Sequence, residues 1–470
     1  MSKRNNDLEE EMNKMNKRLK YLENWIDLYN DSKDENDKKI KKIEDNNNSI
    51  IDILIKTIDD DNIFKLVDPN NINFDERNIS NAKRFILYKP DFDVKIKDQN
   101  SNRTLLMYRS INNDLKIVKF LVQKEINIHE IDIYGKNAIH YIDDPDIIRF
   151  LIELKIDIDL IDNERQTPLH CSIHSMNFKK AELLLEYDVN VNIKNLNGYT
   201  PLHLTVHIGD DKYKEDVLKI ISKLLKKGCN INEKNNDEEN TLHLATKYRS
   251  SLRIVNFLIE NGIDMFAKDI NGLTALHHAS KIKVINSLID KGLDVNSLDN
   301  NNMTPLHWAV KKLRSLDIIK LLIERGANIH AVNNKNMSIL HVGMRSQEKC
   351  SLLADDPNVA SHLINLGVNI NLLDSKGYNA LYLAVKNHAS FEMISLLLEK
   401  GSDPNIIVRN NSILNYAIKN CNFDIVKLLL SNHTTERIRP EYTQHFEIYD
   451  KALSCIEKEK TSSILETSLC

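Results

Sequence analysis

The 470-residue sequence predicts an all-α solenoid of helix–turn–helix–hairpin units, preceded by a coiled-coil-like helix. Three observations carry this. A short phrase, typified by TPLHWAV at Thr304–Val310, returns at 104, 137, 167, 200, 240, 274, 304, 338, 379 and 412, at intervals of 30 to 41 residues. Self-similarity at such a period marks a stacked repeat architecture. Ten of the twelve glycines occupy two positions of that period. Gly135, Gly198, Gly272 and Gly377 stand before the phrase, and Gly228, Gly262, Gly292, Gly326, Gly367 and Gly401 close the unit. Between phrase and closing glycine runs a second apolar helical pattern, as in IIKLLI at Ile318–Ile323. A solenoid reconciles this length with the lack of a boundary through the repeats, since each unit packs only on its neighbours.

Residues 1–48 form the first element. Leu8, Met12, Met15, Leu19, Leu22, Ile26 and Tyr29 alternate by fours and threes, an a/d seam of about three heptads that a polar linker follows. One reading is an amphipathic helix capping the first repeat; the other is a homodimer through residues 8–29. Residues 49–97 hold a degenerate leading repeat or N-cap, and residues 98–432 hold ten repeats. Within one repeat, a polar tip precedes the helix start. Thr304 caps that start with its hydroxyl, and Pro305 suits the first helical position, where its missing N–H costs nothing. Leu306 and Ala309 share a face, and Gly326 ends the second helix in a left-handed conformation. In the earlier repeats Glu125, Lys155 and Asp188 replace the closing glycine, at a cost on the order of 1 kcal/mol each if left-handed, so the N-terminal repeats are expected to be softer. Residues 433–470 read as a loop and a helix, Phe446–Ile456, that caps the last repeat.

The pattern D-x-x-G-x-T-P-L-H-x-A, a second apolar helix, then G-A-D-V-N resembles the ankyrin repeat. NGYTPLHL (197–204), NGLTALHHA (271–279) and NNMTPLHWA (301–309) are the nearest copies. The resemblance implies an L-shaped unit with a projecting hairpin and a concave protein-binding face. It also implies that His140, His170, His203, His243, His277, His307 and His341 are structural, each paired with the residue at its helix start. A catalytic histidine is needed once, not seven times. IEKEKTSSILETSL (456–469) is similar to the segment after the repeats in poxvirus ankyrin proteins, but no F-box-like (PRANC) domain is expected here.

The residue before each phrase is expected at an exposed hairpin tip, which makes Tyr199, Leu273, Met303, Met337 and Tyr378, with Tyr134 nearby, the candidate protein-binding residues. Trp308 reads as core. Two pairs, His170/His174 and His203/His207, have the i, i+4 spacing of metal ligands, yet neither has a third ligand, so no metal or cofactor is expected. There is no phosphate loop and no nucleophile setting, so no enzyme is expected either. A net charge of −4 offers no concentrated basic footprint for nucleic acid. The six scattered cysteines suit a reducing, cytoplasmic setting, with no membrane span. Extra residues at 207–219 and 343–358 fall between the two helices of a repeat. Together these features point to a non-catalytic scaffold, viral in type, that sequesters a host protein. The alternatives are a ubiquitin-ligase adaptor and a cellular or bacterial-effector scaffold.

Overall fold

The computed structural model describes residues 94–108, 114–208, 211–248, 250–312, 314–345, 357–409, 411–419 and 423–432, with single positions at 450 and 454. The seam over 8–29, nearly all of the leading segment, the capping helix expected at 446–456 and the middle of the second insertion lie outside the described residues. The chain divides after Asn127 into two compact units.

In the first unit, a turn at Asp98 leads through a short 3-10 turn, Leu105–Met107, to α1 (Leu115–Gln123). Asp114 caps α1 by accepting from the N–H groups of Lys116 and Ile117, and the face of Ile117, Val118 and Leu121 is buried.

The second unit is a succession of helical pairs. They are α2/α3 (Ala138–Tyr141, Pro145–Glu153), α4/α5 (Pro168–His174, Phe178–Leu184) and α6/α7 (Pro201–His207, Lys214–Lys226). Next come α8/α9 (Thr241–Lys247, Leu252–Glu260), α10/α11 (Ala275–His278, Ile282–Asp290) and α12/α13 (Pro305–Lys311, Leu316–Glu324). Last are α14/α15 (Ile339–Met344, Pro357–Asn365), α16/α17 (Ala380–Lys386, Phe391–Glu399) and α18/α19 (Ile413–Lys419, Phe423–Ser431). First helices pack on first helices of the adjoining repeats, and most second helices on second helices. The core is the apolar seam between the two layers, such as Leu306, Ala309 and Val310 against Ile318, Ile319 and Leu322. The described residues hold one pair of strands, the antiparallel β1 (Ile407–Val408) and β2 (Asn411–Ser412), and an isolated antiparallel bridge between Lys97 and Thr104.

Local chemistry explains the helix ends. Thr167, Thr200 and Thr304 each accept the N–H of the histidine three residues on, with proline at the first helical position. At the closing slot Glu125 and Lys155 are left-handed, with φ of 60° and 63°. Asp188 is not, and this corrects the expectation: the N–H of Val189 bonds to Tyr187 O at 2.9 Å, so the chain turns without a left-handed residue.

Two features had no sequence forecast. The first helices α2 and α10 are only four residues long, and a cation from the next repeat caps each. Lys180 Nζ donates to His140 O at 3.2 Å, and Arg314 Nη2 to His278 O at 3.0 Å. Lys180 is buried beside Asp143 at 3.6 Å, and desolvation lowers its pKa to about 8. The first insertion, in turn, is partly absorbed as helix. It forms a 3-10 turn at Asp211–Tyr213 and lengthens α7 to 13 residues. Lys219 and Lys223 tie α7 to Glu182 of α5 at 2.6 and 3.3 Å.

Because Lys155 is exposed and left-handed, Lys155→Gly is expected to raise stability by up to about 1 kcal/mol. Gly198→Ala is expected to lower it, since a Cβ there would lie 2.6 Å from Asn236 N. Chemical denaturation of both variants checks the pair, and a neutral or stabilising Gly198→Ala would contradict it.

Candidate protein-binding face

The hairpins that join the repeats are built by one recurring device. An aspartate or asparagine folds the chain back on itself, as Asp269 does by accepting the N–H groups of Asn271 and Leu273 at 2.8 and 2.9 Å while its own N–H meets Leu273 O. Successive hairpins are then stitched through their backbones. Asn163 N–H donates to Tyr134 O, Leu196 to Glu164, Asn236 to Asn197 and Ile270 to Asp237. The series continues from Asn300 to Asn271, Asn334 to Asn301 and Ser375 to Lys335, at 2.8 to 3.2 Å throughout. Asparagines add a second row: Asn232, Asn296 and Asn371 each donate to the closing glycine of the following repeat and accept an N–H two residues beyond it.

The seven histidines form a third row. In His170, His277 and His341 the ring Nδ1 accepts the N–H of the capping residue at 3.0 to 3.3 Å and takes that residue's hydroxyl at 2.8 to 2.9 Å. Nδ1 is therefore the acceptor and Nε2 carries the proton. Nε2 donates forward to a carbonyl of the next hairpin: Tyr199 O at 3.1 Å, Met303 O at 3.2 Å and Tyr378 O at 2.9 Å respectively. His140 and His243, beside asparagine caps, reach Gln166 O and Leu273 O. His203 and His307 keep the cap bond, but their buried Nε2 atoms close no forward bond. Tyr382 stands in the same slot and donates its hydroxyl to Asn411 O at 3.3 Å. Burial holds His140, His170, His203, His277 and His307 neutral, with pKa values lowered to about 4.

Four of the six predicted tip residues do not sit at the tips. Tyr134 is exposed and Tyr199 half-buried, but Leu273, Met303, Met337 and Tyr378 are buried. The hairpin explains the correction: the residue before the cap pairs back across the turn, as Met303 does by accepting from Asp299 N–H, and so lies at the foot of the hairpin against the first helices. On the hairpins the exposed apolar side chains include those flanking the turn residue, Ile133 (52%), Leu196 (57%) and Ile270 (55%), with Leu298, Val332 and Leu373 on its other side.

Trp308 also departs from expectation. It is half-buried, not core, and its Nε1 donates to Asp299 Oδ2 at 2.9 Å. Tyr108, Tyr141 and His278 make the same bond to Asp98, Asp132 and Asp269. Where the turn residue is asparagine, at 195, 235 and 333, the matching helix position holds Leu204, Leu244 and Val342. The correlation is visible in the sequence, nine or ten residues apart, but Asp162 and Asp374 stand opposite Cys171 and Leu383, so an aspartate alone does not identify a pair.

The geometry does not support a metal at the histidine pairs. His170 and His203 are committed to their caps, and His207 packs on Tyr248 with ring centroids 4.0 Å apart. Glu239, Asp269 and His278 converge within 4.8 Å. Their side chains already have partners within the chain: Lys247 Nζ lies 2.7 Å from Glu239, and His278 Nε2 is hydrogen-bonded to Asp269. Cys171 and Cys229 are free and half-buried, and burial pushes each thiol up to about 11, away from nucleophile chemistry.

The histidine row predicts acid sensitivity. A histidine whose folded pKa is depressed binds its proton in the unfolded chain first, so its contribution is complete above about pH 6.5 and is lost as pH falls towards about 4. Melting temperature should therefore drop steadily over that window, and a flat profile would contradict the reading. His341→Ala should cost roughly 1–3 kcal/mol by orphaning Tyr378 O and the Ser338 cap. His307→Ala, which breaks no forward bond, should cost less.

Seven overlapping stretches match a family model described as ankyrin repeats (3 copies): residues 74–162, 142–235, 190–269, 212–299, 242–333, 280–358 and 348–439. Similar curated proteins include an L-asparaginase of Dirofilaria immitis, 23% identical over 204 residues, which are 43% of this chain and 33% of that protein. Another is an ankyrin repeat protein of fowlpox virus (strain NVSL), 34% identical over 83 residues, which are 17% of this chain and 14% of that protein. The chain thus spans a third or less of the length of these relatives. The family matches run without a gap from residue 74 to residue 439, and on that coverage the chain belongs to the ankyrin-repeat family.

Proposed function

We propose that this chain is a non-catalytic scaffold of viral type that binds and sequesters host proteins in the cytosol. The ankyrin-repeat family is a protein–protein interaction scaffold, and that membership supports the binding role. The likeness to the fowlpox protein supports the viral setting. The observation that carries the reading is the set of exposed apolar side chains, Ile133, Tyr134, Leu196, Ile270, Leu298, Val332 and Leu373, repeated on hairpins whose backbones are bonded to one another. Apolar groups held outward on a rigid frame mark contact surface. Among the described residues the recurrent histidines are spent on the frame, which favours binding over catalysis. The partial, 23% likeness to an asparaginase brings no amidase activity with it.

Replacing Leu196, Ile270 and Leu298 together by serine tests the reading. Capture of host proteins from infected-cell-type lysate should fall by about tenfold, as expected when central apolar contacts are lost, with the melting curve unchanged. Undiminished capture would sink the role given to these hairpins. Sequestration further predicts that levels of the captured protein stay constant when the chain is expressed. A proteasome-dependent fall, with ligase-adaptor subunits co-precipitating, would establish the adaptor reading in its place.

A further inference from the structure

In the repeats around residues 299–345, the foot of two neighbouring hairpins and the end of α12 enclose a groove of about 530 Å³. Its floor is soft and apolar. Met303, Met337 and Val342 form one buried cluster, and Trp308 packs against it. Its rim is cationic: Lys311, Lys312, Lys335 and Arg345 are all exposed, and no carboxylate lines the groove among the described residues.

These cations are not explained by pairing. At the same helix position Lys247 has a carboxylate, Glu239 at 2.7 Å, and Lys386 has the Tyr378 hydroxyl at 3.3 Å. Lys311 and Lys312 instead lie over the Trp308 ring, 4.4 and 5.9 Å from its centroid, and Arg345 contacts Met337 Sδ at 3.1 Å. A position that closes the first helices, seven residues past the cap, repeats the charge at Lys247, Lys311, Arg345, Lys386 and Lys419. A cation at a helix C-terminus is favourable in itself. That accounts for one charge per repeat but not for Lys312 and Lys335, nor for an acid-free apolar floor in a chain whose net charge is −4.

We infer that this groove takes an acidic segment of a partner protein that carries an apolar side chain among its carboxylates. The apolar side chain seats on the Met303–Met337–Val342 floor, where flexible thioethers adapt to its shape, and the carboxylates meet Lys311, Lys312, Lys335 and Arg345. Nucleic acid suits the site less well. A polyanion would engage the rim alone, leave the methionine floor empty and meet the repulsion of a net negative protein. The inference rests on the scaffold reading and names the chemistry of one of its contacts.

The test uses the full chain carrying Trp25→Phe, which leaves Trp308 as the one indole of the two in the sequence. A fluorescein-labelled, acetylated peptide of glutamates flanking a phenylalanine is titrated by anisotropy and by Trp308 emission. Saturable binding that weakens with added salt and shifts the Trp308 emission is expected. Lys311→Glu combined with Lys335→Glu should weaken it by about tenfold or more, as for reversed charges at a contact, whereas Lys283→Glu, exposed on α11, should not. Replacing the peptide's phenylalanine by serine should also weaken binding. Failure of the glutamate peptide to bind, equal binding by a lysine-for-glutamate peptide, or tighter binding by a labelled oligothymidylate would each overturn the inference. Host-protein capture by the doubly reversed chain separates the two readings. If capture survives while the peptide fails on the unreversed chain, the groove assignment is wrong and the scaffold stands.

Discussion

A neutral imidazole in this fold serves two repeats. Its Nδ1 atom completes the cap of its own helix, and its Nε2–H crosses to a hairpin carbonyl of the next repeat, as in His170, His277 and His341. The bond can exist only if three conditions hold at once. The helix must start at the capping residue, the hairpin must fold so that its foot presents a carbonyl, and the repeats must stack in register. Protonating Nδ1 breaks the cap bond, because the added proton would face the N–H that Nδ1 now accepts. The same slot tolerates Tyr382, whose hydroxyl spans a comparable distance to Asn411 O. A hydroxyl can thus supply the forward donor in place of an imidazole.

Much of this was legible in the sequence. The period, the closing glycines and the histidine slot follow from residue identity alone, because each depends on local backbone chemistry that few residues can supply. The left-handed state of Lys155 could be anticipated from the glycines that hold the equivalent position elsewhere. Asp188 could not, since a neighbouring bond offered the chain another way round. The misreading of Leu273, Met303, Met337 and Tyr378 has a physical origin. Adjacency to a turn suggests exposure, but a hairpin pairs its two ends, and the last residue of the return limb falls inward. Caps such as Lys180 and Arg314 were invisible because they join residues 40 and 36 positions apart with no periodic signature.

The inner side of the second unit is chemically uneven even though its backbone repeats. Around residues 239–278 the carboxylates have partners within the chain, Lys247 for Glu239 and a hydrogen bond from His278 for Asp269. Around residues 301–345 no carboxylate lines the groove among the described residues, and the floor turns from leucine to methionine and tryptophan. A repeat protein can vary such side chains freely because the bonds that hold the repeats together lie elsewhere, in the hairpin backbones and the histidine row. Selectivity and stability are therefore carried by different atoms.

The histidine row also has an arrow. Every donor belongs to the earlier repeat and every acceptor to the later one. Shortening the second unit from its C-terminal side would leave an imidazole N–H with no acceptor, a costly orphan if it stayed dry. Shortening it from the N-terminal side would leave only a carbonyl, which water can readily satisfy. The two ends of a cut are thus energetically unequal, and such an array should shed repeats more easily from its front than from its back. Any lineage that gained or lost copies of this unit would have met that asymmetry at each step.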